Sequence, residues 1–166
     1  MFIKNVVLQI FLIQKWKNRK VEIMKNKNKK ARDLFLEGYN CAQSVFCAYC
    51  EDFGIPFEQG LKMVSSLGGG MGKLREVCGA VSAMFLIAGL KCGYTFPNND
   101  EIKAEHYKRI QDLAEEFKKE YGTIICRELL NIESDGYVPS KRTPEYYKER
   151  PCLKFVEKAS EIIDKM

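Results

Sequence analysis

Cysteine is the residue type in this chain best suited to chemistry. The chain has seven cysteines and one histidine among its 166 residues. A single imidazole excludes metal sites that need two or three histidines, such as those of zincins, and leaves thiolate as the only abundant soft ligand. The histidine, His106, stands among charged residues, so it is predicted to be a solvated surface side chain. Any metal or redox chemistry is therefore expected to depend on sulfur.

Two of the cysteines form a C-x-x-C sequence, Cys47-Ala-Tyr-Cys50. This spacing can serve a dithiol or half of a metal site, and on a helix both sulfurs would share one face. The chain has no second C-x-x-C, no histidine directly after Cys50 and no βαβ pattern of a thioredoxin. Two small buried thiols in a helical core are therefore the preferred interpretation of this pair.

Four glycines in five residues mark a segment, 68–72 (GGGMG), that cannot form a stable helix. The segment does not match a phosphate-binding loop, because three residues rather than four separate Gly68 from Gly72, and Leu74 stands where a Ser or Thr is needed. Two interpretations remain. The segment is either a flexible turn that lets two helices pack closely, or a backbone cradle whose N–H groups hydrogen-bond to a thiolate or sulfide. The nearness of Cys78 in the sequence favours the cradle.

The elements that position these residues are all predicted to be helices. The spacing of apolar residues predicts one or two helices over 29–53, and further helices over 57–67, 76–90, 101–121 and 123–130 and from Pro151 onward. The segment 76–90 is almost wholly apolar and is expected to be the most buried helix, whereas 131–150 is predicted to be a polar loop. No strand pattern is present. The predicted fold is all-α, a single small irregular bundle of five or six helices.

The positive charge of the chain is concentrated in its first 32 residues. The formal net charge is +5, from 27 Lys and Arg against 22 Asp and Glu, yet residues 1–32 hold ten of the cations and one of the acids. Residues 33–166 carry 17 cations and 21 acids, a net charge of −4. A mildly acidic folded part lacks the basic footprint of a nucleic-acid-binding protein, so no nucleic-acid partner is expected.

The amino-terminal segment is predicted to be a basic arm. We assign residues 1–28 to this arm and residues 29–166 to one helical cysteine-motif redox domain, since the length suits one domain. The apolar run over 6–13 is too short to span a bilayer and lacks a signal-peptide cleavage site. One interpretation is an over-long start over 1–23, because Met24 opens a sequence typical of a soluble protein. The other is a basic amphipathic segment that makes weak contact with a membrane surface.

The expected compartment follows from the lack of a cleavable signal sequence. Such a chain is predicted to be in the reducing cytoplasm. Cysteines there more often bind metal or take part in catalysis than pair in structural disulfides.

Three motifs and two single cysteines, in order along the chain, resemble those of a known family. They are 38–43 (GYNCAQ), 68–72 (GGGMG), 78–82 (CGAVS), Cys126 and Cys152. From about Arg32 to the carboxyl end, the chain resembles the bacterial and archaeal redox-active family named C-GCAxxG-C-C after its four cysteines. The resemblance implies a small helical, cysteine-dependent redox protein, related to a domain found in split-Soret cytochromes.

The resemblance also assigns the site residues. By position, the family's four cysteines would be Cys41, Cys78, Cys126 and Cys152. They would be metal or cluster ligands, or redox thiols if the protein is metal-free. The cofactor-binding backbone would come from Gly68, Gly69, Gly70, Gly72 and Gly79. Cys47, Cys50 and Cys92 would be extras. Ala83 departs from the family pattern, which has glycine there, and its methyl group would crowd a close helix approach.

Four cysteines dispersed over 112 positions can form one site only if the fold gathers them. We expect their sulfurs to converge in one pocket with the backbone of 68–72 along its wall. Four thiolates suit a [2Fe–2S] or [4Fe–4S] cluster or a tetrahedral zinc ion. The leading prediction is electron transfer through an iron–sulfur cluster. The alternatives are a metal-free thiol–disulfide oxidoreductase and a structural zinc-binding module. A redox partner protein of unknown identity is expected, and the sequence leaves oligomerisation open.

Overall fold

The computed structural model describes residues 27–133 and 136–166, together with the single residue Lys15. The described residues form helices and turns and contain no strand, so the predicted all-α class is confirmed. The basic arm predicted over 1–28 lies outside the described residues, apart from Lys15, Lys27 and Asn28. None of the described helices is long and apolar enough to cross a membrane.

The helices follow one another with short connections. Residues 27–36 form α1. The next helices are α2 (Cys41–Tyr49), α3 (Phe57–Val64), the one-turn α4 (Gly68–Met71), α5 (Gly79–Cys92), α6 (Asp100–Tyr121), α7 (Cys126–Leu130), α8 (Pro144–Glu149) and α9 (Cys152–Lys165). Two 3₁₀ turns, Cys50–Phe53 and Ser65–Leu67, extend α2 and α3. The helical segments of the described residues outnumber the five or six that were expected, because several are only one or two turns long.

The central helix of the fold is α5. It is buried continuously from Gly79 to Met84, including Ala83, and it packs against α2, α9 and α6. The prediction that this apolar segment is deeply buried is therefore confirmed. From α6, the side chains of Leu113, Ala114 and Phe117 reach the core. This packing brings the starts of α2, α5 and α9 to one side of the molecule.

Two predicted boundaries are wrong for identifiable reasons. The helix expected from residue 76 begins at Gly79, because Val77 forms an antiparallel bridge with Ile125 and the backbone before α5 is extended. The polar loop expected over 131–150 contains α8, whose start is fixed by Thr143. The Thr143 hydroxyl accepts a hydrogen bond from the Tyr146 N–H, and proline follows at the first helical position.

The single histidine differs from its prediction as well. His106 is half-buried. Its ring packs against the ring of Tyr94 in an edge-to-face arrangement, with the two centroids 5.7 Å apart. Its Nδ1 is shielded from solvent and has no hydrogen-bond partner among the described residues. Tyr94, which covers this ring, lies before the start of α6. The sequence of α6 alone therefore does not indicate the contact.

Candidate functional site

Each of the four motif cysteines lies at the beginning of a helix. Cys41, Cys126 and Cys152 are the first residues of α2, α7 and α9, and Cys78 is the residue directly before α5. The first N–H groups of a helix have no partner within it, so helix starts carry partial positive charge. This charge would stabilise an anionic group bound near the starts of α2, α5 and α9. It matters less for α7, which has only five residues.

The position of Cys41 is set by a local sequence signal. The Asn40 side chain accepts a hydrogen bond from the Gln43 N–H, and the Gln43 side chain accepts one from the Asn40 N–H. This reciprocal capping box fixes the start of α2. Cys41 is therefore held in the first turn of α2.

Cys78 and Cys126 are brought together by backbone pairing. The Cys78 N–H donates to the Ile124 carbonyl at 2.8 Å, and the Cys126 N–H donates to the Glu76 carbonyl at 2.6 Å. These bonds flank the bridge between Val77 and Ile125. Residues that are 48 positions apart in the sequence are thus placed side by side by a short extended contact.

The four cysteines line one pocket, with a volume of about 60 Å³. Its apolar wall is formed by Phe35, Leu129, Leu130 and Phe155. A volume of this size has room for about four water molecules. Cys78 and Cys126 are buried, whereas Cys41 and Cys152 are partly accessible.

Three of the predicted glycines contact this pocket or its cysteines. Gly69 lines the pocket. A Cβ added at Gly79 would stand 2.7 Å from the Cys41 sulfur, and one at Gly70 would stand 2.7 Å from the Cys126 Cβ. Neither position has room for a side chain, because the cysteines occupy that space. Gly68 and Gly72 do not line the cysteine pocket, and contribute instead to a neighbouring cavity.

The glycine segment, which includes the one-turn α4, forms a left-handed turn over residues 69–73 and is not a right-handed helix. All five residues have positive φ, between 60° and 70°. Met71 and Lys73 adopt this conformation although they have a Cβ, which costs about 1–2 kcal/mol for each. Arg75 also has positive φ, at 64°. Strain of this kind persists only where the surroundings enforce it, and here the turn delivers Arg75 to the pocket.

Three arginines supply the charge of the pocket lining: Arg75, Arg142 and Arg150. Arg75 is 3% exposed, and its Nη1 lies 3.9 Å from the Cys126 sulfur. The guanidinium groups of Arg142 and Arg150 stack on the ring of Tyr146, at 4.7 Å and 5.3 Å from its centroid. Among the described residues that line the pocket there is no carboxylate. The site is therefore electropositive.

Burial opposes the effect of this positive charge on the pKa values of the thiols. Burial, together with the nearby Cys41 and Cys126, raises the pKa of Cys152 to about 12, although Arg150 and Arg142 act to lower it. Burial also raises the pKa of Cys126, which the hydrogen bond from Arg75 partly offsets. The pKa of Cys78 is raised well above its usual value by burial and by Cys41, against the backbone N–H groups of Ala80 and Val81. In the metal-free protein these thiols are protonated at neutral pH.

Cys41 is the common neighbour of the other three motif cysteines. Its charge raises the pKa of Cys78, of Cys126 and of Cys152. Cys41 therefore lies near each of the other three motif cysteines.

The described residues contain no group of three or more Cys, His, Asp or Glu side chains arranged to hold a single metal ion. A tetrahedral zinc ion with Zn–S bonds of about 2.3 Å would require its sulfurs to lie about 3.8 Å apart. The four motif cysteines line one pocket without forming such a group.

The three extra cysteines lie away from this pocket. Cys47 and Cys50 are fully buried in the core, and the Cys92 sulfur donates to the Ala88 carbonyl at the end of α5. The arginines and Tyr146, in contrast, belong to the site and were not predicted. Their convergence is tertiary, and no local spacing in the sequence indicates it.

Comparison with curated proteins gives no match, and comparison with solved structures gives none. A family model does match, over residues 39–166, and it is described as "Putative redox-active protein (C_GCAxxG_C_C)". The match includes all four helix starts that carry the pocket cysteines. The chain belongs to the C_GCAxxG_C_C family of redox-active proteins.

Proposed function

We propose that the protein transfers electrons through an iron–sulfur cluster bound by Cys41, Cys78, Cys126 and Cys152. The observation that carries this proposal is the meeting of the four family cysteines, from four separate helices, at one small pocket. Four thiolates are the usual ligand set of [2Fe–2S] and [4Fe–4S] clusters. When bound, such a cluster would supply one-electron transfer.

The donor set and its surroundings fit such a group. A cluster with four thiolates is negatively charged, and Arg75, Arg142 and Arg150 face it with positive charge. Backbone without a side chain at Gly79 approaches the Cys41 sulfur, and Gly69 lines the pocket, so N–H groups at these positions could stabilise the charge. The volume of about 60 Å³ suits an inorganic core. It is far below the roughly 300–1,000 Å³ of sites for organic cofactors.

The thiol pKa values support metal binding over thiol exchange. A thiolate is the attacking species in exchange, so thiols with raised pKa values react slowly at neutral pH. A bound metal removes this penalty, because its positive charge compensates the thiolates directly. The absence of a single-ion arrangement among the described residues also makes a structural zinc ion the weakest of the three candidates.

Metal-free thiol–disulfide exchange is the second candidate. It is favoured by the nearness of Cys41 to the other three motif cysteines. Two thiols would lose two protons and two electrons on forming a disulfide. A substrate disulfide would take up both and become two thiols.

Anaerobic purification with iron, sulfide and zinc analysis and a visible spectrum tests the proposal. We expect iron, acid-labile sulfide and visible absorption in the wild-type protein and in Cys47→Ser, and their loss in Cys41→Ser. The Cys47 variant is a matched control, because it changes the same residue type in the same helix. A wild-type protein without iron that forms a reversible disulfide would establish exchange instead, and stoichiometric zinc would establish the structural module.

A further inference from the structure

A second and larger cavity adjoins the cysteine pocket. Its volume is about 280 Å³, and its walls come from the glycine segment and from the loop before α8. It shares Asn40, Gly69, Tyr146 and the three arginines with the cysteine pocket. The two spaces therefore meet at the stacked ring of Tyr146 and its guanidinium partners.

Cationic side chains line this cavity. They are Lys73, Arg75, Arg142 and Arg150, and no Asp or Glu is among its described lining residues. The guanidinium groups of Arg142 and Arg150 bring positive charge to this space, which attracts an anion.

One donor of Arg142, a residue that lines the cavity, has no acceptor among the described residues. The Arg142 Nη2 donates to the Tyr39 carbonyl at 3.2 Å, whereas its Nη1 is shielded from solvent and has no hydrogen-bond partner among the described residues. The guanidinium plane is held by the rings of Phe35 and Tyr146, each 4.7 Å from it. A charged donor that is fixed, shielded and unpaired is costly, so an acceptor from a ligand would be favourable.

We propose that this cavity binds a small organic anion through a phosphate, sulfate or carboxylate group held by Arg142 and Arg150. The planar guanidinium group suits an oxyanion, since it offers two parallel donors. The volume of the cavity exceeds that of an inorganic oxyanion and approaches the lower end of small-ligand sites, about 300 Å³. Ser65, Tyr137 and Ser140 also line it and offer polar groups to the rest of the ligand.

This site is defined by arginines and not by thiols. It therefore goes beyond the proposed electron transfer and can be tested separately from it. Because Tyr146 and the arginines belong to both cavities, a ligand held here would lie next to the motif cysteines.

Isothermal titration calorimetry of the purified full chain at constant ionic strength tests the proposal. The probes are glycerol phosphate, inorganic phosphate, and glycerol as the neutral control. We expect saturable binding of glycerol phosphate, weaker binding of inorganic phosphate and none of glycerol. Arg142→Gln and Arg150→Gln should each weaken glycerol phosphate binding at least tenfold, because each removes a charge-assisted contact. Arg32→Gln, an exposed control beside Glu157, should have no effect.

The arginine variants must be folded for their affinities to test the site. Arg142 also supports the loop before α8, so near-UV circular dichroism must show that its variant is folded, and Arg150→Gln serves where it is not. Unchanged affinity in a folded Arg150→Gln protein, or an equal loss in Arg32→Gln, would overturn the site. Binding of inorganic phosphate alone would overturn the organic ligand class. Cys41→Ser should retain anion binding even if it loses metal, and a loss of both would show that the cavity depends on the thiol centre.

Discussion

The cysteines of this chain occupy two regions of opposite character. The motif cysteines stand at helix starts around a small pocket with arginines in its wall. Cys47 and Cys50 lie at the end of α2 and in the turn that follows, with no exposed surface. Cys41 and Cys47 belong to the same helix, so the contrast does not arise from different elements.

The difference shows that the position of a cysteine within its helix affects its electrostatic environment more than the spacing between cysteines does. Burial, together with the neighbouring Cys50, raises the pKa of Cys47 to about 12. In the motif pocket, arginines lower the pKa of Cys152 and helix N–H groups lower that of Cys78, against the effect of burial, whereas Lys30 lowers the pKa of Cys47. The C-x-x-C spacing is the more familiar signal, yet it marks the region with less electrostatic support for thiolate.

The largest expected effect is a loss of metal from one region alone. Cys78→Ser should weaken metal retention by more than about 100-fold, because a hydroxyl is a poor soft ligand. Cys50→Ser should retain the metal and lose about 1–3 kcal/mol of folding free energy for a buried hydroxyl. Iron analysis and urea unfolding of both variants check this. Metal loss in the Cys50 variant would move the site to the C-x-x-C.

A glycine in each region gives a matched steric comparison. Gly79→Ala should destabilise the protein by about 1–3 kcal/mol and reduce its iron content, because the new Cβ would stand 2.7 Å from the Cys41 sulfur and 2.8 Å from the Leu67 carbonyl oxygen. At Gly60 the nearest atom is the Cys50 sulfur at 3.0 Å. Gly60→Ala also gains about 1 kcal/mol of helix propensity, so we expect a smaller net change and unchanged iron. An equal loss of unfolding free energy in the two variants would contradict the expected difference between Gly79 and Gly60.

Alkaline pH should separate the regions when metal is bound. The pKa values of Cys152 and Cys47 are raised from 9.0 to about 12 in the folded protein. Between these values the folded state holds protons that the unfolded state has lost, so the free energy of unfolding falls as pH rises, by at most about 4 kcal/mol per thiol. Metal should remove the Cys152 contribution, since that thiol is then already deprotonated, and leave the Cys47 contribution. Urea unfolding of the metal-bound and metal-free forms is measured from pH 8 to 11. The variants Cys152→Ser and Cys47→Ser then give the contribution of each thiol to the change in unfolding free energy.

The smallest expected effect concerns thiol reactivity. Arg150 lowers the pKa of Cys152, so Arg150→Gln should raise that pKa and slow alkylation of Cys152 in the metal-free protein about two- to fivefold at pH 9. Alkylation of Cys47 should not change, because it requires opening of the core. Mass spectrometry of labelled peptides over time follows both thiols at once. A change in the Cys47 rate would indicate general loosening rather than an electrostatic effect.

The helical class and most helix positions could be predicted because they depend on local periodicity. The beginning of α5 could not, because Val77 pairs with Ile125 through a contact that is distant in sequence. The short helix α8 was missed although Thr143 and Pro144 provide a local start signal. For the site, the resemblance supplied the cysteines, and the capping box of Asn40 and Gln43 could have placed Cys41 at a helix start. The arginines depend on tertiary packing alone.

The left-handed turn over 69–73 makes one part of this chain locally a mirror image of ordinary protein structure. Residues of the opposite chirality prefer the conformation that Met71 and Lys73 adopt here. Chemical synthesis with D-methionine at position 71 would therefore relieve the steric cost that the natural enantiomer bears. The same substitution in α5 would disrupt the helix, so the turn is a place where non-natural stereochemistry and the native backbone agree.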